Sequence, residues 1–302
     1  IKDRFARRNI AEKHKFVYIG GGYFTAPSPI RRIWVYRNTV LYALPGLMFR
    51  LFYPQGKVGV FGVGFGQLPS LYYRLLRLGL KSAEVIYARD RESIPYAKKF
   101  LGSSLLGADA VILLAKDADL SKFGSINLQS SDNEYDAIFH IANREYRGVD
   151  IFNSLVEFAK SFDEGRIAFI TDTVGSSPNE QDRIMADLQR VFPRSHFHPY
   201  KNVEELCGLI GRSQLIVTTK LHVGIVATSF QVKTLCIPCH PKIERFYRDI
   251  GYEAALYKFS DEISLRDWLT VSKDTLTTPS FPEEVVQRAE LQKSEFIRFL
   301  SE

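Results

Sequence analysis

The chain has 302 residues, 45% hydrophobic and 25% charged, an ordinary globular balance that excludes disordered, collagenous and coiled-coil classes and leaves length for about two domains. Forty lysines and arginines against 34 acids give a net charge of +6, which favours an anionic ligand or surface and does not imply nucleic acid. Three cysteines are too few for a disulfide framework and point to a reducing compartment, the cytosol.

Residues 1–15 are basic and polar without an apolar centre, so no signal peptide is read there. The most apolar long stretch, 39–53, is interrupted by Pro45, Gly46 and Arg50 and falls short of the ~20 residues of a membrane helix. Strand-length runs of β-branched and aromatic residues recur at 16–19, 57–61, 84–88, 110–114, 137–141, 166–170, 214–218 and 234–237. Between them, 68–77, 93–101, 151–162, 180–192 and 203–211 carry apolar residues at helical spacing. Continuous apolar strands alternating with helices predict parallel sheets covered on both faces, an open doubly wound α/β architecture.

The polar stretch 121–135 has a loop composition and is expected to join an N-terminal domain, 1–130, to a C-terminal domain, 131–275. After a second polar cluster at 272–282, a charged helical pattern, 280–302, is expected to pack back across the domain junction. The stretch 30–53 mixes arginines with Trp, Tyr, Phe and Leu. That mixture suits peripheral contact with an anionic bilayer, or a buried helix with snorkelling arginines.

Two glycine clusters follow strands: Gly20-Gly21-Gly22 and Gly62-Val63-Gly64-Phe65-Gly66. Glycines at a strand's carboxyl end let backbone approach a ligand, and equally serve tight turns. Neither cluster forms a dinucleotide fingerprint, so NAD is not expected. Arg89-Asp90-Arg91-Glu92-Ser93 ends a strand and opens a helix; by itself it reads as a capped helix with solvated charges, while the place of Arg89 at a strand's carboxyl end would also point it into the crevice where open α/β sheets bind ligands.

The most informative segment is 214–251. Its strand runs into Thr219-Lys220-Leu221-His222 and then a small-residue helix. A cation, an imidazole and a helix N-terminus together suit an anion and a proton transfer. Pro241-Lys242 supplies another cation after the next strand. Cys236-Ile237-Pro238-Cys239-His240 matches a haem-attachment string, but it ends an apolar strand and no second pair completes a metal site. His196 and His198 alternate on an expected strand and share one face. No metal and no cofactor is expected.

In this order, Gly20-Gly21-Gly22, the cluster 62–68, Arg89 to Ser93, and Thr219-Lys220-Leu221-His222 through Lys242 resemble the successive motifs of the polysaccharide pyruvyl transferase family, over about residues 16–251. The resemblance implies a glycosyltransferase-B-like fold of two Rossmann-like doubly wound domains facing a cleft. It further implies transfer of the enolpyruvyl carbons of phosphoenolpyruvate onto two hydroxyls of a sugar, giving a cyclic ketal on a cell-surface polysaccharide or its lipid-linked precursor. On that basis His222 is expected to be the general acid. Lys220, Leu221, Arg89, Lys242 and the backbone around Gly21, Gly22, Gly64 and Gly66 are expected to bind substrate. The chain departs from the family in carrying Lys220-Leu221-His222 where Arg-Leu-His is usual, and it shows no Asn-x-Gly-Asp segment ahead of Gly20. Two other readings remain: a nucleotide-sugar glycosyltransferase of the same architecture, and a catalytically silent glycan-binding homologue. The acceptor sugar and oligomeric state are not legible.

Overall fold

The computed structural model describes residues 14–22, 24–26, 32–114, 134–172, 180–260 and 262–302. The chain forms two compact units, one of Ile1–Ala110 with Glu284–Glu302 and one of Val111–Glu283. The junction expected at 121–135 lies largely outside the described residues.

The first unit begins with β1 (Lys15–Ile19). A helical run follows: α1 (Arg32–Asn38), a π-helical turn (Thr39–Ala43) and α2 (Leu44–Phe52). Next come β2 (Lys57–Val63), α3 (Ser70–Gly79), β3 (Ala83–Ala88), the one-turn α4 (Ile94–Ala97) and β4 (Leu105–Leu106). The four strands pair in parallel in the order β1-β2-β3-β4. The strand period of two sorts side chains by face. Tyr18, Val58, Val60, Ile86 and Ala88 join Tyr72 and Leu76 of α3 in one core. Val17, Phe61, Val85 and Tyr87 point the other way, against Phe296 and Phe299 of the chain's last helix. There the rings of Phe296 and Phe299 stand edge-on to Phe61 at 5.2 and 5.8 Å.

In the second unit β5 (Ala137–His140) leads through a hairpin of β6 (Glu145–Tyr146) and β7 (Val149–Asp150) into α5 (Ile151–Ala159). The chain continues as β8 (Ile167–Thr171), α6 (Glu180–Val191), β9 (His196–Pro199), α7 (Val203–Ile210) and β10 (Leu215–Thr218). This unit ends with α8 (Leu221–Ser229), β11 (Lys233–Cys236), α9 (Pro241–Asp249) and α10 (Leu265–Thr275), and the chain's last helix, α11 (Glu283–Ser301), belongs to the first unit. Five parallel strands stand in the order β11-β10-β5-β8-β9. Phe139, Phe169, Val217 and Leu235 face the core lined by α5, α6 and α10. Ile138, Ala168, Ile170 and Ile216 face that of α7 and α8. Burial on both faces explains why these strands read as unbroken apolar runs.

Two expected elements differ. Residues 110–114 are not a strand: Ala110–Leu113 forms a 3-10 turn. Val111 packs against the core that contains Phe230, and its carbonyl accepts from Ser229 Oγ. A short apolar run looks alike as strand or buried helical turn. The helix expected at 93–101 is one 3-10 turn, Arg91–Ser93, capped by Asp90, and the short α4.

Candidate active site

In the second unit the chain winds from β5 outward through β8 and β9, then returns to the opposite side of β5 as β10 and β11. The winding reverses between β5 and β10, and an open parallel sheet binds its ligands at the carboxyl ends of strands at such a switch point. Thr219 ties the two strand ends together. Its N–H donates to the His140 carbonyl at 3.1 Å, and its Oγ1 accepts from the Ala142 N–H at 2.9 Å.

Lys220 follows immediately, in extended conformation at the N-cap of α8. Its N–H donates to Thr218 Oγ1 at 2.9 Å, and its side chain gives the helix no cap. The first-turn amides of α8 thus run toward the strand ends without a side-chain acceptor, an arrangement that favours an anionic ligand. Leu221 is fully buried, so what it offers a ligand is its backbone N–H. His222, one residue on, is exposed. Lys242 stands at the start of α9, where His240 caps the helix by accepting the Lys242 N–H at Nδ1, 3.1 Å.

The Lys220 ammonium is ion-paired with the Asp172 carboxylate. Asp172 lies just beyond β8 and also approaches His140 Nε2 at 3.4 Å through its other oxygen. His140 is wholly buried, with Gln181 Nε2 at 3.2 Å from the same ring nitrogen and no partner for Nδ1 among the described residues. The Tyr200 ring flanks both, 6.0 Å from Lys220 Nζ and 6.5 Å from the His140 ring.

Burial, and then the nearby Lys220 charge, push the His140 imidazole down to about 3, so it is neutral at ordinary pH. Burial and the neighbouring Lys242 bring the Lys220 ammonium down to about 8. The Asp172 carboxylate opposes them by favouring the charged form. A lysine poised near neutrality, with three donor directions of which Asp172 takes one, can hold an anion and respond to pH.

The remaining sequence-derived residues lie in the first unit. The glycine clusters join there: the Gly20 N–H donates to the Phe61 carbonyl, Gly64 to Gly21 and Gly66 to Phe24, each at 2.9 Å. Gly20 and Gly21 have φ of +59° and +83°, a region side chains disfavour. A Cβ on Gly64 would lie 2.9 Å from Arg89 Nη2, so that glycine makes room for the guanidinium. At Gly66 it would meet Thr25 at 2.7 Å, whereas Gly22 has open space. Because Gly64 and Gly66 spend their amides on neighbouring backbone, these two glycines serve packing. Arg89 is nearly buried, 3.5 Å from Asp90 and 4.0 Å from Asp109.

The Cys-x-x-Cys-His string is explained without a ligand. Cys236 is buried in β11, burial raises the Cys239 thiol to about 12, and His240 is a helix cap. His196 and His198 do share a face, their rings parallel at 6.1 Å. Among the described residues, no group of three or more His, Cys, Asp or Glu is placed to hold a metal. No helix among them is long and apolar enough to cross a membrane. A hollow of the second unit, about 860 Å³, is bordered by Asp136, Gln214 and Lys233 at the amino ends of the strands, away from Lys220.

Asp172, Gln181, Tyr200 and His140 escaped the motif reading. Their only sequence signal is position: His140 ends an apolar strand run, and Asp172 and Tyr200 each follow a strand end directly.

Solved structures of similar fold include UDP-GlcNAc 2-epimerase from Neisseria meningitidis bound to UDP-GlcNAc. It is 13% identical with a TM-score of 0.57, over 87% of this chain and 82% of that one. A putative UDP-N-acetylglucosamine 2-epimerase from Listeria monocytogenes gives 16% and 0.53, over 83% and 71%. S. aureus MnaA with UDP gives 14% and 0.52, over 85% and 73%. No curated protein matches the chain. The two parallel-sheet units and these neighbours define a glycosyltransferase-B-like α/β fold of two Rossmann-like domains. The polysaccharide pyruvyl transferase family model matches residues 1–241. The chain belongs to that family, and its class is a transferase.

Proposed function

We propose that the protein transfers the enolpyruvyl group of phosphoenolpyruvate to a saccharide as a cyclic ketal, with the donor bound at the carboxyl ends of β5 and β10. The observation that carries this reading is the gathering of Lys220, Lys242 and the uncapped start of α8 in one place. Two cations and a row of amides suit a small donor bearing both phosphate and carboxylate.

The chemistry balances. His222 gives a proton to the donor's methylene carbon, and a sugar hydroxyl adds to the electron-poor C2. Phosphate then leaves with the C2–O bond electrons, and a second hydroxyl closes the ring. The two hydroxyl protons replace the one on His222 and protonate the departing phosphate. Lys220, Lys242 and the α8 amides hold the anionic groups and stabilise the charge on the leaving phosphate. The acceptor on this reading is a polysaccharide unit or its lipid-linked precursor, modified on the cytoplasmic side of the membrane.

The test incubates the protein with phosphoenolpyruvate and a panel of lipid-linked and aryl glycosides while phosphate release is followed. Acceptor-dependent release supports the reading. A melting temperature raised by UDP, GDP or CMP, and unmoved by millimolar phosphoenolpyruvate, would replace it with nucleotide-sugar transfer.

A further inference from the structure

The helical run from Arg32 to Phe52 is apolar on two sides, with Val35, Tyr42 and Phe49 packed against the core of the first unit and a second set of apolar side chains turned to solvent. Its buried positions are Asn38, Ala43 and Gly46, whereas Ile33, Tyr36, Val40, Leu41, Leu44, Met48, Leu51 and Phe52 are exposed. Ile33, Tyr36, Leu51 and Phe52 keep 76, 74, 65 and 68% of their surface open. The exposed set recurs every three or four residues, which is one stripe along 21 residues of helix. The neighbouring α3 does the same: Tyr72 and Leu76 are buried, and Leu71 and Leu78, seven residues apart on one face, are exposed. So much contiguous apolar surface marks an interaction site.

Charge identifies the partner. Residues 13–83 contain ten lysines and arginines and no aspartate or glutamate, although the whole chain is only +6. Among these cations Arg37, Arg74, Arg77 and Lys81 are exposed on or beside the helices that carry the apolar stripe. An apolar protein partner would leave these cations uncompensated. An anionic lipid surface matches both features, because acyl chains receive the apolar side chains while headgroup phosphates meet the arginines.

We propose that this face of the first unit is a monotopic docking surface for an anionic phospholipid bilayer, with the Arg32–Phe52 helix lying in the plane of the interface. The inference does not depend on the identity of the donor or acceptor.

The test is co-sedimentation of the full chain with vesicles of phosphatidylcholine alone and of phosphatidylcholine with 30% phosphatidylglycerol. Binding is expected at least tenfold stronger to the anionic vesicles and weaker as salt rises. Ile33→Glu with Phe52→Glu, at exposed positions, should lower the partition coefficient at least tenfold at unchanged melting temperature. Arg37→Gln with Arg74→Gln and Arg77→Gln should remove most of the preference for anionic vesicles. Absence of binding to anionic vesicles would overturn the proposal, as would equal binding by the Ile33/Phe52 variant. A dimer that this variant dissolves, without vesicle binding, would overturn it in favour of self-association.

Discussion

The Lys220 ammonium, carried just beyond β10, and the Asp172 carboxylate, carried just beyond β8, form an ion pair although the two strands are not neighbours. Between them stands β5, whose last residue, His140, lies under the pair with Nε2 3.4 Å from Asp172. Three strand ends thereby converge on one cation at the switch point. Lysine at this position brings a compact charge whose pKa its surroundings can move.

That mobility has a pH signature. Lys220 is charged below about 8 and loses its proton above, so phosphoenolpyruvate affinity should fall as pH rises through that value. Asp172→Asn removes the carboxylate that favours the ammonium and should move the alkaline limb to lower pH. Lys220→Ala should weaken donor binding by roughly 10- to 100-fold, about the 1.5–3 kcal/mol of a charge-assisted bond. Lys220→Arg should retain binding and shift the limb out of the measurable range. Titration calorimetry from pH 6 to 9.5 reads all four, and an alkaline limb unchanged by Asp172→Asn would remove Asp172 from this role.

His222→Ala should lower turnover about 10²-fold or more. Because the side chain is exposed on the second residue of α8, the melting temperature should stay within a degree or two. Turnover near wild type would reassign the proton donor.

His140 should govern acid stability. Its folded pKa is about 3 against an unfolded 6.5, so below 6.5 the unfolded chain takes up a proton that the folded chain refuses. Stability is full above 6.5 and declines by up to a few kcal/mol as pH falls toward 3. In His140→Gln, urea unfolding between pH 7 and 4 should show a shallower decline, whatever the variant's stability at pH 7. An unchanged slope would show that other groups set the acid limit.

Arg89 distinguishes a binding role from a structural one. It is the cation beside Asp90 and Asp109, both buried, and Arg89→Ala should cost ~2–3 kcal/mol by leaving those carboxylates without it. A thermal scan should show a clear drop in Tm. An unchanged Tm with lost phosphoenolpyruvate binding would instead make Arg89 a donor ligand.

The alternation of apolar strands and amphipathic helices was enough to read the parallel α/β class, because strands buried on both faces must be apolar throughout and that constraint is local. The family's motifs, Gly20 to Gly22, Arg89 to Ser93 and Lys220 to His222, were legible for the same reason: each lies within a few residues of chain. The apolar run at 110–114 was not decided by pattern, since a buried turn and a buried strand need the same side chains. The order β11-β10-β5-β8-β9 was equally hidden, and with it the meeting of Asp172, Lys220 and His140, residues separated by 32 to 80 positions and joined only by strand pairing. Whether the arginines and aromatics of 32–53 were snorkelling around a buried helix or standing in solvent was also a tertiary matter. The close approach of Gly46 and Gly79, where a Cβ added to Gly79 would lie 3.4 Å from the Gly46 Cα, the burial of Ala43 and the core contacts of Val35, Tyr42 and Phe49 show which side of that helix is inside, and therefore that its second apolar stripe is out.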